Sequence, residues 1–135
     1  MNIKLLTAAE LMTPHPISIE PSASLRHAAS IMCQQKLHCL LVPSDAGLCV
    51  GVITSKDIVQ VLCDGDTDLL DQLHVADVVS RPAITVQEQF LIADCLRLMR
   101  MSGVRSMPVM RGLTPVGILS FTDVLHAAVT RTDAE

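Results

Sequence analysis

Apolar and polar positions along the chain change period in a fixed order, and that order occurs twice. Ser18-Ile19 and Thr85-Val86 follow prolines, which turn their neighbours away from helix, and read as short extended segments. From Ser24 to Gln35 apolar residues fall at Leu25, Ala28, Ala29, Ile31 and Met32, the spacing of an amphipathic helix with Ser24 as its cap. Ile92 to Met101 repeats the pattern. The runs Cys39 to Val42 and Met107 to Met110 predict buried strands. Turns at Asp45-Ala46-Gly47 and Arg111-Gly112-Leu113-Thr114-Pro115 return the chain into Val50 to Ile53 and Val116 to Leu119, predicting two hairpins. Each set closes with a helix that opens near Thr54 or Ser120.

The two halves also align residue by residue. Met12-Thr13-Pro14-His15-Pro16-Ile17-Ser18-Ile19 reads against Val79-Ser80-Arg81-Pro82-Ala83-Ile84-Thr85-Val86 at an offset of 67, which holds through Val42 and Val109. After one deletion, Gly51-Val52-Ile53-Thr54-Ser55-Lys56-Asp57-Ile58 matches Gly117-Ile118-Leu119-Ser120-Phe121-Thr122-Asp123-Val124 at an offset of 66. The unit is β-α-β-β-α, an α/β (α+β) arrangement whose apolar face a single copy cannot bury. Two copies packed about a pseudo-twofold axis are therefore expected. Residues 1–62 are read as the first repeat (core 9–60) and 76–135 as the second (core 76–128). Residues 63–75 form a linker, in which the acidic turn Cys63-Asp64-Gly65-Asp66-Thr67-Asp68 leads to a short helix over Leu69 to Leu73.

Composition narrows the chemistry. A chain of 135 residues has the size of one domain and can bury a sizeable core. With no Trp, no Tyr and two Phe, that core is aliphatic, and a bound purine would be held by aliphatic side chains and backbone rather than by stacked rings. The net charge is −4 and the basic residues Lys36, Lys56, Arg97, Arg100, Arg105 and Arg111 are scattered, so nucleic acid is not expected as the primary partner. No apolar run approaches the ~18 residues of a membrane span, and the short N-terminal apolar stretch is broken by Glu10; a cytoplasmic protein is expected. The five cysteines, Cys33, Cys39, Cys49, Cys63 and Cys95, contain no C-x-x-C pair and read as buried free thiols in a reducing compartment. Cys39 with His38, or Cys63 with His74, lacks the clustered spacing of a zinc site, so no metal is expected. Walker-type loops, Gly-x-Ser-x-Gly elbows and His-Glu-x-x-His pairs are absent from the sequence, and the chain is not read as an enzyme.

The chemistry that remains sits at two strand-to-helix junctions. Thr54-Ser55-Lys56-Asp57 and Ser120-Phe121-Thr122-Asp123 each place a hydroxyl and a carboxylate at a helix N-terminus. A carboxylate can accept two hydrogen bonds from a ribose diol, and free N–H groups there favour a phosphate. A Ser or Thr followed three residues later by an acid is equally a capping pattern, and the two roles can coexist.

These residues resemble a known family, the CBS domain, named after the regulatory region of cystathionine beta-synthase. The resemblance rests on the Met-Thr-Pro-His-Pro-Ile-Ser-Ile opening, the Leu-Arg-His-Ala-Ala-Ser-Ile-Met helix and the Met-Pro-Val strand at 107–109. The paired Gly-Val-Ile-Thr-Ser-Lys-Asp and Gly-Ile-Leu-Ser-Phe-Thr-Asp endings complete it. It implies a CBS pair, or Bateman module, that binds AMP, ADP, ATP or S-adenosylmethionine in clefts between the repeats, dimerises, and signals to a separate effector protein, with no cofactor required. It also implies roles for individual residues. His38 and Arg105 match the basic position that faces the phosphates, and Ser18 and Thr85 match the hydroxyl residue beside the nucleotide. Asp123 would be served by Ser18, Leu37 and Cys39, and Asp57 by Thr85, Val104 and Ser106. Leu37, Val104, Ile17 and Ile84 would wall the adenine. The first repeat departs from the family in Leu41, where the second has Pro108, and the second in Val79, where the first has Met12. Arg111-Gly112-Leu113 replaces an acidic turn and adds positive charge near Arg105, which suits a polyphosphate. The alternative is a ligand-free oligomerisation module in which both aspartates only cap helices.

Overall fold

The computed structural model describes residues 2–44, 50–80 and 82–131. The expected turn at Asp45-Ala46-Gly47, Cys49 and Arg81 lie outside the described residues. The helices are α1 (Ala8–Leu11), α2 (Leu25–Gln35), α3 (Ser55–Asp64), α4 (Leu69–Gln72), α5 (Ile92–Ser102) and α6 (Phe121–Thr130). The strands are β1 (Thr13–Pro14), β2 (Cys39–Pro43), β3 (Val50–Thr54), β4 (Val86–Gln87), β5 (Ser106–Arg111) and β6 (Thr114–Ser120). The chain divides into two compact units, and these do not coincide with the sequence repeats. Residues up to Pro16 join those from Ile84 onward, while Ile17–Ala83 form the other unit.

In the unit Ile17–Ala83, β2 and β3 pair antiparallel from Cys39↔Thr54 to Pro43↔Val50. Ser18 bridges Leu41 in parallel, and Ser80 bridges Val52 antiparallel, so short segments flank the hairpin on both edges. The Ser24 side chain accepts from the His27 N–H and starts α2, as its sequence position predicts. Leu25, Ala28, Met32, Leu40, Val42, Ile53, Ile58, Leu70 and Val75 close the core. α3 runs through Asp64, so the first two residues of the expected acidic turn are helical; the short helix expected beyond it is α4. Arg26 on α2 fastens α4 through two bonds to Asp71, at 2.6 and 3.0 Å.

The other unit is built on the same plan. Its sheet has the order β1-β6-β5-β4, with β4 parallel to β5 and the remaining pairs antiparallel. Thr13↔Ile118 on this sheet corresponds to Ser80↔Val52 on the other, so each unit takes its outermost segment from the opening of the other sequence repeat. Gly117 makes the pairing with β1 possible. A Cβ there would lie 2.8 Å from the Thr13 carbonyl and against the Met12 sulfur. The expected five-residue turn contracts to Gly112-Leu113, with Gly112 at φ 63°, the positive φ that tight two-residue hairpin turns require. Thr114 and Pro115 join β6 instead. The register shifts between Val109, which pairs with Gly117, and Met110, which pairs with Pro115, so Val116 is the extra residue on β6. Leu6, Ala8, Leu11, Val86, Ile92, Cys95, Met99, Met107, Val109, Leu119 and Ala127 form this core. Leu6, Ala8 and Leu11 come from the N-terminal segment.

Cys39 and Cys95 are buried, whereas Cys33 and Cys63 are exposed, so the expectation of buried thiols holds only for the first two among the described residues. None of the described helices is long and apolar enough to cross a membrane.

Candidate functional site

Each unit carries one strand-to-helix junction, and both junctions form closed capping boxes. At β3–α3 the Thr54 N–H donates to Asp57 Oδ2 at 2.9 Å, and the Asp57 N–H returns a bond to Thr54 Oγ1 at 3.2 Å. At β6–α6 the Ser120 N–H and hydroxyl both donate to Asp123 Oδ2, at 2.8 and 3.0 Å, and the Asp123 N–H donates to Ser120 Oγ at 3.3 Å. The local reason is the same in both: an extended N-cap residue points its hydroxyl at the first turn, and the acid three residues on reaches back. Capping is thus realised at both aspartates, and both remain half-buried rather than sealed in the core.

The backbone places the expected basic residues beside these boxes. The Ser55 N–H donates to the His38 carbonyl at 3.0 Å, and the Phe121 N–H to the Arg105 carbonyl at 2.9 Å. In both helices the first-turn N–H groups nearest the cap are therefore partly spent on protein carbonyls and hydroxyls. The His38 and Arg105 side chains are exposed, as are Lys56 and Thr122. Among the described residues Lys56 and Arg105 have no ion-pair partner, unlike Arg26 and Arg111. Arg111 corrects one expectation. It lies 2.6 Å from Glu88, whose carboxyl the guanidinium hydrogen bond pulls below its usual range, so the hairpin adds no unbalanced positive charge near Arg105.

Of the remaining candidates, Cys39 pairs across the ladder with Thr54, and Ser106 with Ser120. Burial, with the Asp57 charge nearby, pushes the Cys39 thiol up to about 12. Leu37 and Val104 are partly buried and pack against the two cores. Ile17 and Ile84 are exposed, at 38% and 37%, although ordinary strand residues of their type would be in the core. Ser18 bridges Leu41 on the edge of the β2–β3 pair, and Thr85 precedes β4, half-buried.

One residue of the site is not among those expected. The Thr13 hydroxyl donates to Asp123 Oδ1 at 2.8 Å across 110 residues of sequence. The signal available was the repeat itself, which puts a hydroxyl residue at both Thr13 and Ser80. Beside Asp123, a cavity of about 370 Å³ opens between α1 and α6, lined by Glu10, Thr122, Asp123, His126 and Arg131 among others.

Comparison with known proteins gives the family and the fold. The CBS domain model matches residues 8–64 and again 75–130, so the chain belongs to the CBS-domain family. A hexameric CBS-CP12 protein from bloom-forming cyanobacteria is similar with a TM-score of 0.83 and 30% identity, over 90% of this chain and 67% of that one. CBSX2, solved in complex with AMP, has a TM-score of 0.75 and 25% identity, over 91% of this chain and 96% of that one. The chain is also 29% identical over 127 residues to a homoserine O-acetyltransferase of Methanocorpusculum labreanum. It spans 90% of this chain but only 25% of that enzyme's length.

Proposed function

We propose that the chain is a regulatory module that binds an adenosine-containing nucleotide and reports its occupancy to a separate protein, without catalysing a reaction itself. The observation that carries this reading is the duplicated junction. Asp57 and Asp123 are held by their boxes with carboxylates at half-buried helix starts, and Lys56 and Arg105, which have no ion-pair partner among the described residues, lie close in the chain or the ladder. In this reading the carboxylates take the ribose diol, Thr54, Ser120 and Thr122 line the same turn, and Lys56, Arg105 and His38 face the phosphates. Ile17 and Ile84 offer the aliphatic walls that a purine needs in a chain with no Trp or Tyr. CBSX2 and its AMP support the choice of ligand class. Candidate ligands are AMP, ADP, ATP and S-adenosylmethionine, and the site is cytoplasmic.

Thermal unfolding with millimolar AMP, ADP, ATP or S-adenosylmethionine tests the proposal. A ligand at 100 times its Kd that binds only the folded state adds about 2.7 kcal/mol, a shift of several degrees for a domain this size. The expected outcome is such a shift with at least one of the four, smaller with the 2′-deoxy analogue and reduced in Asp57→Asn or in Asp123→Asn. No shift with any of them would sink it.

A second reading, a ligand-free homo-oligomerisation module, is favoured by α6. Phe121, Leu125 and Val129 recur every four residues on this helix and are 49%, 68% and 74% exposed. Light scattering on Leu125→Glu separates the two readings: an oligomer that dissociates while nucleotide binding never occurs in any variant would favour the second.

A further inference from the structure

The repeat supplies two aspartates with the same box, but the structure treats their second oxygens differently. Asp123 already accepts three hydrogen bonds, from the Ser120 N–H, the Ser120 hydroxyl and the Thr13 hydroxyl. Asp57 accepts one, from the Thr54 N–H, and among the described residues its Oδ1 has no donor. The position corresponding to Thr13 is Ser80, which bridges Val52 as Thr13 bridges Ile118. Among the described residues no hydrogen bond joins the Ser80 side chain to Asp57.

A carboxylate has about four lone-pair positions, and a vicinal diol needs two of them. At Asp57 three are open. At Asp123 one is open, and a diol fits only by displacing Thr13 or the Ser120 hydroxyl. We infer that the two junctions are not equivalent: Asp57 is the carboxylate that a nucleotide occupies first, and Thr13 is a built-in competitor that sets the affinity at Asp123. The inference rests on the nucleotide-binding reading above and adds to it which site fills and which residue decides.

Calorimetric titration of the full chain with AMP tests it, using wild type, Asp57→Asn, Thr13→Val and Thr13→Ser. Wild type is expected to bind one equivalent tightly and a second at least tenfold more weakly. Asp57→Asn should weaken the tight equivalent by tenfold or more. Thr13→Val removes the hydroxyl at nearly constant volume and should tighten the weak equivalent severalfold; Thr13→Ser, which restores the hydroxyl, should return the wild-type pattern. A tight equivalent that survives Asp57→Asn, two equal equivalents in wild type, or a weak site indifferent to Thr13→Val would overturn the inference while leaving nucleotide binding intact. Absence of any heat in wild type with AMP, ADP, ATP or S-adenosylmethionine would instead remove the nucleotide reading and this inference with it. A ligand-free check concerns the bond itself: Thr13→Val and Asp123→Asn should lower the melting temperature by less together than the sum of their separate shifts, and strict additivity would show that the two side chains do not interact.

Discussion

Lys36 and Gly103 occupy the same place in the two repeats, and both end their helices in the left-handed region, at φ 56° and 80°. Only glycine adopts that conformation freely, since a Cβ there crowds the following carbonyl. Lys36→Gly should therefore raise stability by about 0.5–1 kcal/mol, and Gly103→Ala should lower it by about 1 kcal/mol. Thermal unfolding reads both, and two shifts of the same sign would contradict the account. Cysteine reactivity is a second residue-scale outcome. Burial pushes the Cys39 and Cys95 thiols up to about 12 and about 11, so near ~pH 8 a maleimide should label Cys33 and Cys63 on folded protein and reach the other two only on unfolding. Peptide mass analysis checks this. The linkage has a definite sign: both folded values lie above the ordinary 9.0, so this stabilisation is complete below that value and is lost as pH rises toward the folded values.

At the scale of elements, local signals were legible and long-range pairings were not. Ser24, Thr54 and Ser120 were readable as caps because a cap side chain and the N–H it accepts from lie within one turn. The hairpins and amphipathic helices follow from period alone. β1 is different, being two residues long and containing a proline, and nothing in its own sequence names β6, more than 100 residues away, as its partner. Gly117 is where that pairing can be attacked. Gly117→Ala drives a methyl against the Thr13 carbonyl, and either β1 or β6 must give way. A loss of about 1–3 kcal/mol is expected, by analogy with inserting a methyl into a packed core. Because Thr13 moves with β1, faster amide exchange near the start of α6 should accompany the loss. An unchanged melting temperature would mean that β1 is not held where the structure has it.

Over the whole molecule, the repeat seen in the sequence and the unit seen in space are two different partitions. The family matches begin at residues 8 and 75 and so treat each opening segment as part of its own repeat. In the fold, the first opening instead completes the sheet of the later unit, and Leu6, Ala8 and Leu11 are buried among Ile92, Met99, Met107 and Leu119. Sequence periodicity could not reveal this, because an apolar residue announces that it is buried without saying against what. The exchange makes stability at one end of the chain depend on residues at the other. Leu11 is 8% exposed, and truncating it leaves a cavity in a core that already has few aromatic side chains to collapse into the space. Leu11→Ala should cost about 2–5 kcal/mol. The informative readout is where the cost is felt, which hydrogen exchange resolves by segment. Amides of β5 and β6 should open faster while those of β2 and β3, in the same sequence repeat as Leu11, change less. The reverse pattern would place the N-terminal segment with its own repeat and undo the exchanged arrangement, and with it the reason that Thr13 lies beside Asp123 rather than Asp57.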